Sequence, residues 1–155
     1  MDKLLEILEK NPRLSNKEIA VMIDKTEEET EKQIRLYEES GIIKGYRAMI
    51  DKNKAKAQTV TALIEIRVQP KFGHGFDEIA GRIAALEEVE SIYLMSGGYD
   101  LKVIIEGETL QEVALFVARK LSTLQGVRST KTHFILKTYK ENDIVYIEEN
   151  SDSRE

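Results

Sequence analysis

Two capping boxes set close together constrain this chain more than any other feature. Ser15-Asn-Lys-Glu18 and Thr26-Glu-Glu-Glu29 each pair a hydroxyl with a carboxylate three residues on. In that arrangement the two side chains satisfy each other's backbone amides at a helix start. A helix begun after Ser15 must end before Thr26, so it is short. Asp24-Lys25 leaves room only for a tight turn between the two. Ile19, Ala20 and Ile23 make the apolar side of the first of these helices. The second runs to about Ser40, with Gly41 as the left-handed residue past its end. Thr30, Ile34 and Tyr37 fall on one face of it. Upstream, Asp2 can cap a helix to about Lys10 with Leu4, Leu5 and Leu8 in a stripe, and Asn11-Pro12 ends it. Two short helices across a tight turn, packed on a preceding helix, predict a helix-turn-helix. Ile42 to Tyr46 reads as a short strand or wing. Residues 47–58 are charged and Ala-rich, and read as strand end plus linker.

The remainder alternates differently. Thr59 to Gln69 is β-branched and reads as a strand. Phe76, Ile79, Ala80 and Ile83 give a helical stripe to about Leu86. Val89 to Met95 and Leu101 to Glu106 read as strands flanking Gly97-Gly98, a pair suited to the positive φ of a tight hairpin turn. Thr109 can cap a helix with Leu110, Val113, Ala114, Val117 and Leu121 inward, stopped by Gly126. Val127 to Tyr139 is a fourth strand. The order βαββαβ is the ferredoxin-like arrangement. The fold class expected is therefore α+β: a three-helix, winged helix-turn-helix joined to a ferredoxin-like domain. The expected domains are 1–54, 55–142, and 143–155 as a short edge strand (from Ile144 to Ile147) with a frayed acidic tail. Both helices would cover one sheet face. Apolar residues nevertheless stand on both faces, as in Val103-Ile104-Ile105 and Phe134-Ile135-Leu136. Two such sheets stacked about a twofold axis would cover them, which predicts a homodimer.

Composition narrows the function. With 155 residues, 41% apolar and 33% charged, the chain can build a core. There is no Cys, which excludes disulfides and thiolate metal sites. His74 and His133 stand far apart; His74 reads as a loop residue and His133 as a half-buried strand residue. No metal or cofactor is expected. The N-terminus lacks the pattern of a signal peptide and no apolar run is long enough for a membrane span, so the expected compartment is the cytoplasm. No nucleophile elbow, P-loop or dinucleotide-binding glycine motif occurs. Catalytic residues are therefore not expected, although some tetrapyrrole decarboxylases share such a two-domain architecture. The net charge of −5 argues against coating nucleic acid by charge alone.

Two stretches carry chemistry. A recognition helix puts its N-terminal residues against base edges. That selects Thr26, Glu28, Glu29, Lys32, Gln33 and Arg35, with Lys17, Lys44 and Arg47 (and Arg13) flanking as phosphate contacts. From Thr26 to Ser40 there are six acids against two bases, so this helix neutralises few phosphates; a glutamate can instead accept from the cytosine amino group. The acids equally suit a helix N-terminus and a solvated face. The second stretch is Ser96-Gly97-Gly98-Tyr99-Asp100, where a small ligand could approach bare backbone and meet one fixed carboxylate. Such a sequence also serves as a plain turn with Asp bonding local backbone.

RLSNKEIA, the capped third helix, YEESGIIKGYRAMID and SGGYDL together resemble the Lrp/AsnC family of amino-acid-responsive transcriptional regulators, and the likeness spans the chain. The resemblance implies binding of double-stranded DNA by the first half. It implies a RAM domain in the second, which dimerises by its sheets, with dimers assembling further into octamers (tetramers of dimers). It also implies a small amino acid effector bound near the turn between the second and third strands. Carried over by similarity, the effector residues are Ser96, Gly97, Gly98, Tyr99 and Asp100, with Thr130 and Thr132 matching the alternate threonines of the family's last strand. The family usually has Arg where Gln33 and Leu36 stand. That departure keeps a second reading open: an amino acid-binding oligomeric sensor whose acidic helix-turn-helix no longer binds DNA and serves assembly or a protein partner.

Overall fold

The structure is a computed structural model that describes residues 1–69 and 75–147. His74 and the stretch 148–155 lie outside the described residues. The chain forms two compact units, Met1–Met49 and Ile50–Glu155.

In the first unit, α1 (Lys3–Lys10), α2 (Asn16–Ile23) and α3 (Glu27–Glu39) follow the capping signals. Both capping boxes close in both directions. Ser15 accepts from the Glu18 amide and Thr26 from the Glu29 amide, while each glutamate accepts from the cap backbone. The turn between α2 and α3 holds because Asp24 takes the left-handed conformation, φ 55°. Leu4, Leu8 and Ile19 are the buried centre, packed by Ile7, Leu14, Ile23, Ile34, Tyr37 and Ile43. Thr30 is fully buried and escapes a desolvation penalty by donating to the Thr26 carbonyl at 2.9 Å. Gly41 takes φ +71° past the end of α3. The expected strand at Ile42 to Tyr46 does not form. A strand needs a neighbour for its amides and carbonyls, and no segment among the described residues pairs with it as one.

The second unit opens with Asp51 to Ala57 wound into turns, where the Ala55 and Ala57 amides reach back to Asp51 and Lys52 carbonyls. The Lys52 ammonium pairs with Glu106. The four-stranded sheet contains β1 (Val60–Val68), β2 (Val89–Leu94), β3 (Leu101–Gly107) and β4 (Val127–Phe134). Its order is β2-β3-β1-β4, antiparallel throughout, as the ferredoxin-like order requires. Strict alternation along β1 and β3 buries Ala62, Ile64, Ile66, Val68, Leu101, Val103 and Ile105 on one face. Two helices cover that face: α4 (Asp77–Ala84) through Ile79 and Ile83, and α5 (Leu110–Phe116), which continues as one π-helical turn over Val117–Leu121.

Three details differ from the sequence reading. Leu110 is 56% exposed and Ala114 is exposed, while Phe116 is buried. The inward stripe of α5 is Val113, Phe116, Val117 and Leu121, one step around the helix from the stripe first read. The fourth strand ends at Phe134 rather than Tyr139, because β1 begins at Val60 and offers no partner beyond the bond from the Ile135 amide to Thr61. Ile144–Val145 (β6) does not join the sheet edge. It pairs with Lys140–Glu141 (β5) in a separate ribbon, turned by Asn142 and Asp143, both at positive φ, as a type I′ turn demands.

Candidate DNA interface and effector site

The helix-turn-helix presents α3. Thr26 and Glu29 are occupied at its start: the Thr26 hydroxyl donates to Glu29 Oε2 at 3.0 Å and the Thr26 amide to the same oxygen at 2.9 Å. These bonds, that of the Thr26 amide above all, hold the Glu29 carboxyl below its ordinary range. Glu18 is lowered in the same way by Ser15. Further along, Arg35 pairs with Glu31 at 2.9 Å one turn back, and the Tyr46 hydroxyl donates to Glu38 at 2.9 Å. Glu28 and Lys32 are exposed and Gln33 is half-buried on the flank. Lys17, Lys44 and Arg47 are exposed around α3's unit. Residues 1–49 hold nine Lys and Arg against eleven Asp and Glu, so the unit has no basic excess of its own.

The connection between β2 and β3 is wider than a two-residue turn. Leu94 and Leu101 are the last strand pair, and the Met95 amide then donates to the Asp100 carbonyl at 2.8 Å. Ser96, Gly97, Gly98 and Tyr99 form the loop between. Only Gly97 takes a positive φ, +140°, so the glycine pair does not serve a mirror-image tight turn. Ser96, Gly97 and Gly98 are exposed, and a Cβ at either glycine would meet no atom within 4 Å. Asp100 staples the loop to the end of β1. Its amide donates to the Ile66 carbonyl at 3.0 Å, and its Oδ2 accepts from the Val68 amide at 2.8 Å. Its other carboxylate oxygen makes no hydrogen bond among the described residues.

Thr130 and Thr132 pair with Ile66 and Ile64 and so share the helix-covered face. The Thr130 hydroxyl sits 3.2 Å from that of Ser122, just past the π-helical turn. Ile66 thus has Asp100 on one flank and Thr130 on the other, two strand spacings or about 10 Å apart. The loop and Thr130 flank the same end of β1, and Thr132 stands two residues further in, beside Ile64.

The face away from the helices carries half-buried Leu63, Glu65, Lys102, Ile104 and Glu106, with Tyr93, Lys131 and His133 exposed. His133 is exposed rather than half-buried, and its Nε2 lies 3.0 Å from Glu65 Oε1. Ser122 and the Val68 amide were missed in the sequence because each enters through the strand register, which no local pattern encodes.

The first unit matches a winged helix-turn-helix DNA-binding family model over residues 3–44. The second matches the Lrp/AsnC ligand binding domain over residues 61–145. An uncharacterized HTH-type transcriptional regulator of Bacillus subtilis, YugG, is 47% identical over 98% of this chain and 92% of its own length. The chain belongs to the Lrp/AsnC family of transcriptional regulators. The Leucine-responsive regulatory protein of Haemophilus influenzae is 24% identical over 94% of the chain and 87% of its own length. Among solved structures, AsnC of E. coli superposes with a TM-score of 0.69 at 20% identity, covering 91% of this chain and 95% of that one. A Neisseria meningitidis transcriptional regulator, NMB0573, solved as a complex with L-Met, gives 0.72 at 22% identity over 91% and 93%. As an Lrp/AsnC member, this chain is a DNA-binding transcriptional regulator with a ligand-binding second half. Nothing in these relatives favours a sensor without DNA binding. No helix among the described residues is long and apolar enough to cross a membrane.

Proposed function

We propose that this Lrp/AsnC regulator is a cytoplasmic homodimer that reads double-stranded DNA through α3 and senses a small amino acid at the β2–β3 loop. The carrying observation is that loop. Ser96, Gly97 and Gly98 expose bare backbone, and Asp100 is fixed by Val68 with one carboxylate oxygen left over. Backbone amides of the loop suit an α-carboxylate, and the spare oxygen of Asp100 suits an α-ammonium. Tyr99, half-buried beside Asp100, belongs to the same loop. Thr130 flanks the same end of β1, with Thr132 two residues further along β4, and both would contact a larger effector.

The uncovered sheet face, with Leu63 and Ile104 at its middle, is the dimer contact. The exposed loop is where one dimer meets another, up to a tetramer of dimers. An effector then shifts assembly, and so DNA affinity, only by binding one assembly better than the other. Thr26, Glu29, Glu28, Lys32, Gln33 and Arg35 lie on or beside the groove-facing helix, with Lys17, Lys44 and Arg47 toward phosphates. No catalytic step, metal or cofactor belongs to this reading.

Calorimetric titration of the full chain with each standard amino acid tests the effector, and native mass spectrometry with and without it tests the coupling. One or a few amino acids are expected to bind and to change the distribution of oligomers. Binding of none of them, or identical distributions at saturation, would sink the reading.

A further inference from the structure

One side of α3 is left unused by its own unit. Thr30 is fully buried, and Ile34 and Tyr37 are half-buried, which fixes the inward face. Glu28, Lys32 and Leu36 lie on the opposite side in a single row, each four residues from the next and all exposed. The other charges of the middle turns are occupied: Glu29 by the cap, Glu31 by Arg35, Glu38 by Tyr46. Glu28 and Lys32 make no hydrogen bond or ion pair among the described residues. The row ends in a large aliphatic side chain that is 49% exposed. A single exposed leucine means nothing in itself. This one continues the row that a recognition helix turns toward DNA.

The major groove offers one apolar group, the C5-methyl of thymine, and one base amino donor on cytosine that a carboxylate accepts; guanine N7 and O6 accept from a lysine. From Glu28 to Leu36 the helix advances about 12 Å, or three to four base-pair steps. We infer that this row reads the half-site by base edges, with Leu36 against a thymine methyl, Glu28 accepting from a cytosine amino group, and Lys32 between them. The inference rests on the reading of α3 as the recognition helix. It explains how a unit with two more acids than bases holds DNA. Little of the affinity comes from phosphate neutralisation, so more must come from the bases.

The test uses the full chain and duplexes selected from a random pool at low salt. Each thymine of the enriched half-site is replaced in turn by deoxyuridine, which removes only the methyl. The parent protein is expected to bind about fourfold more weakly at one thymine position per half-site, the value of one buried methyl. Leu36→Ala is expected to lose that sensitivity while keeping its circular dichroism, since alanine is the better helix former. Glu28→Gln is expected to relax the preference for one cytosine by about tenfold.

A half-site without thymine, or one whose every methyl can be removed without effect, overturns the assignment of Leu36. So does a Leu36→Ala variant with unchanged methyl sensitivity. Unaltered cytosine preference in Glu28→Gln overturns the role of Glu28. Absence of any enriched duplex for the parent protein overturns the recognition-helix reading itself, and this inference with it. Enrichment without methyl sensitivity overturns only the inference.

Discussion

Asp100 has one structural role, and the proposed function gives it a second that a single substitution would confuse with the first. Its Oδ2 takes the Val68 amide, which would otherwise stand unpaired at the end of β1. In the function proposed above, the remaining oxygen is the charge offered to an effector. Asp100→Ala removes both, and leaving a part-buried strand amide without its charged acceptor costs about 1–2 kcal/mol. Asp100→Asn keeps an oxygen for Val68 and removes the charge. The asparagine variant is therefore expected to melt close to the parent and to lose at least tenfold in amino-acid affinity, while the alanine variant loses both. Thermal melts beside calorimetric titrations separate the two roles; an asparagine variant that binds like the parent would take the ammonium away from Asp100. The loop's composition was legible in the sequence, and so was the exposure of its glycines. The staple was not, since Val68 lies 32 residues earlier and meets Asp100 only once the register of β1 and β3 is set. The same holds for Ser122 and Thr130, which face each other across a helix end and a strand.

The elements themselves were legible wherever the signal is local. Both capping boxes, the Gly41 stop and the Thr109 cap are formed by residues three or four apart, and all four appear in the structure. The strand expected at Ile42 to Tyr46 did not form because a strand is a relation between segments. The inward stripe of α5 slipped because Leu110 and Ala114 fit the helical period almost as well as Phe116 does.

The capping boxes also make the first unit's stability depend on pH. Glu18 and Glu29 have carboxyls lowered by the amides of Ser15 and Thr26, and Asp2 is lowered chiefly by the Tyr37 hydroxyl. A carboxyl lowered in the folded state contributes stability that is present above its unfolded value and is lost as pH falls through the folded value. A Glu18→Gln, Glu29→Gln double variant has nothing to titrate at these sites. It is expected to unfold at lower urea than the parent at neutral pH, with the gap narrowing as pH falls through and below the ordinary carboxylate range. Urea titrations followed by far-ultraviolet circular dichroism at stepped pH read this directly; a gap of constant size down to acid would show that the boxes carry no proton linkage.

At the scale of the molecule, the surface that α4 and α5 leave open is the opposite face of the sheet. Its centre is apolar, with Leu63 and Ile104 half-buried, and its margin is charged, with Glu65, Lys102, Lys131 and His133 around it. The alternation of β1 and β3 announced that face in the sequence, because Ile104 stands between two core residues and must point the other way. The Lys102 ammonium over the Tyr93 ring, 4.7 Å from its centroid, and the Glu65–His133 contact order the margin without covering the middle. An apolar centre with a polar rim is the anatomy of a protein interface, and a twofold stack of two such sheets sets each Ile104 against the same patch of its mate. Ile104→Lys puts a charge at that centre and leaves the helix-covered core of the unit untouched. The variant is expected to keep its circular dichroism and to dissociate at least tenfold more readily in sedimentation equilibrium, about 1.4 kcal/mol per mole of dimer. Because the two α3 helices of a dimer must lie about one DNA turn apart to meet both half-sites, the same variant should also lose its preference for paired half-sites over single ones. A folded Ile104→Lys protein with the parent's oligomer distribution would move the contact to another face. If dissociation occurs but paired-site preference survives, the dimer forms through this sheet without being what spaces the helices on DNA.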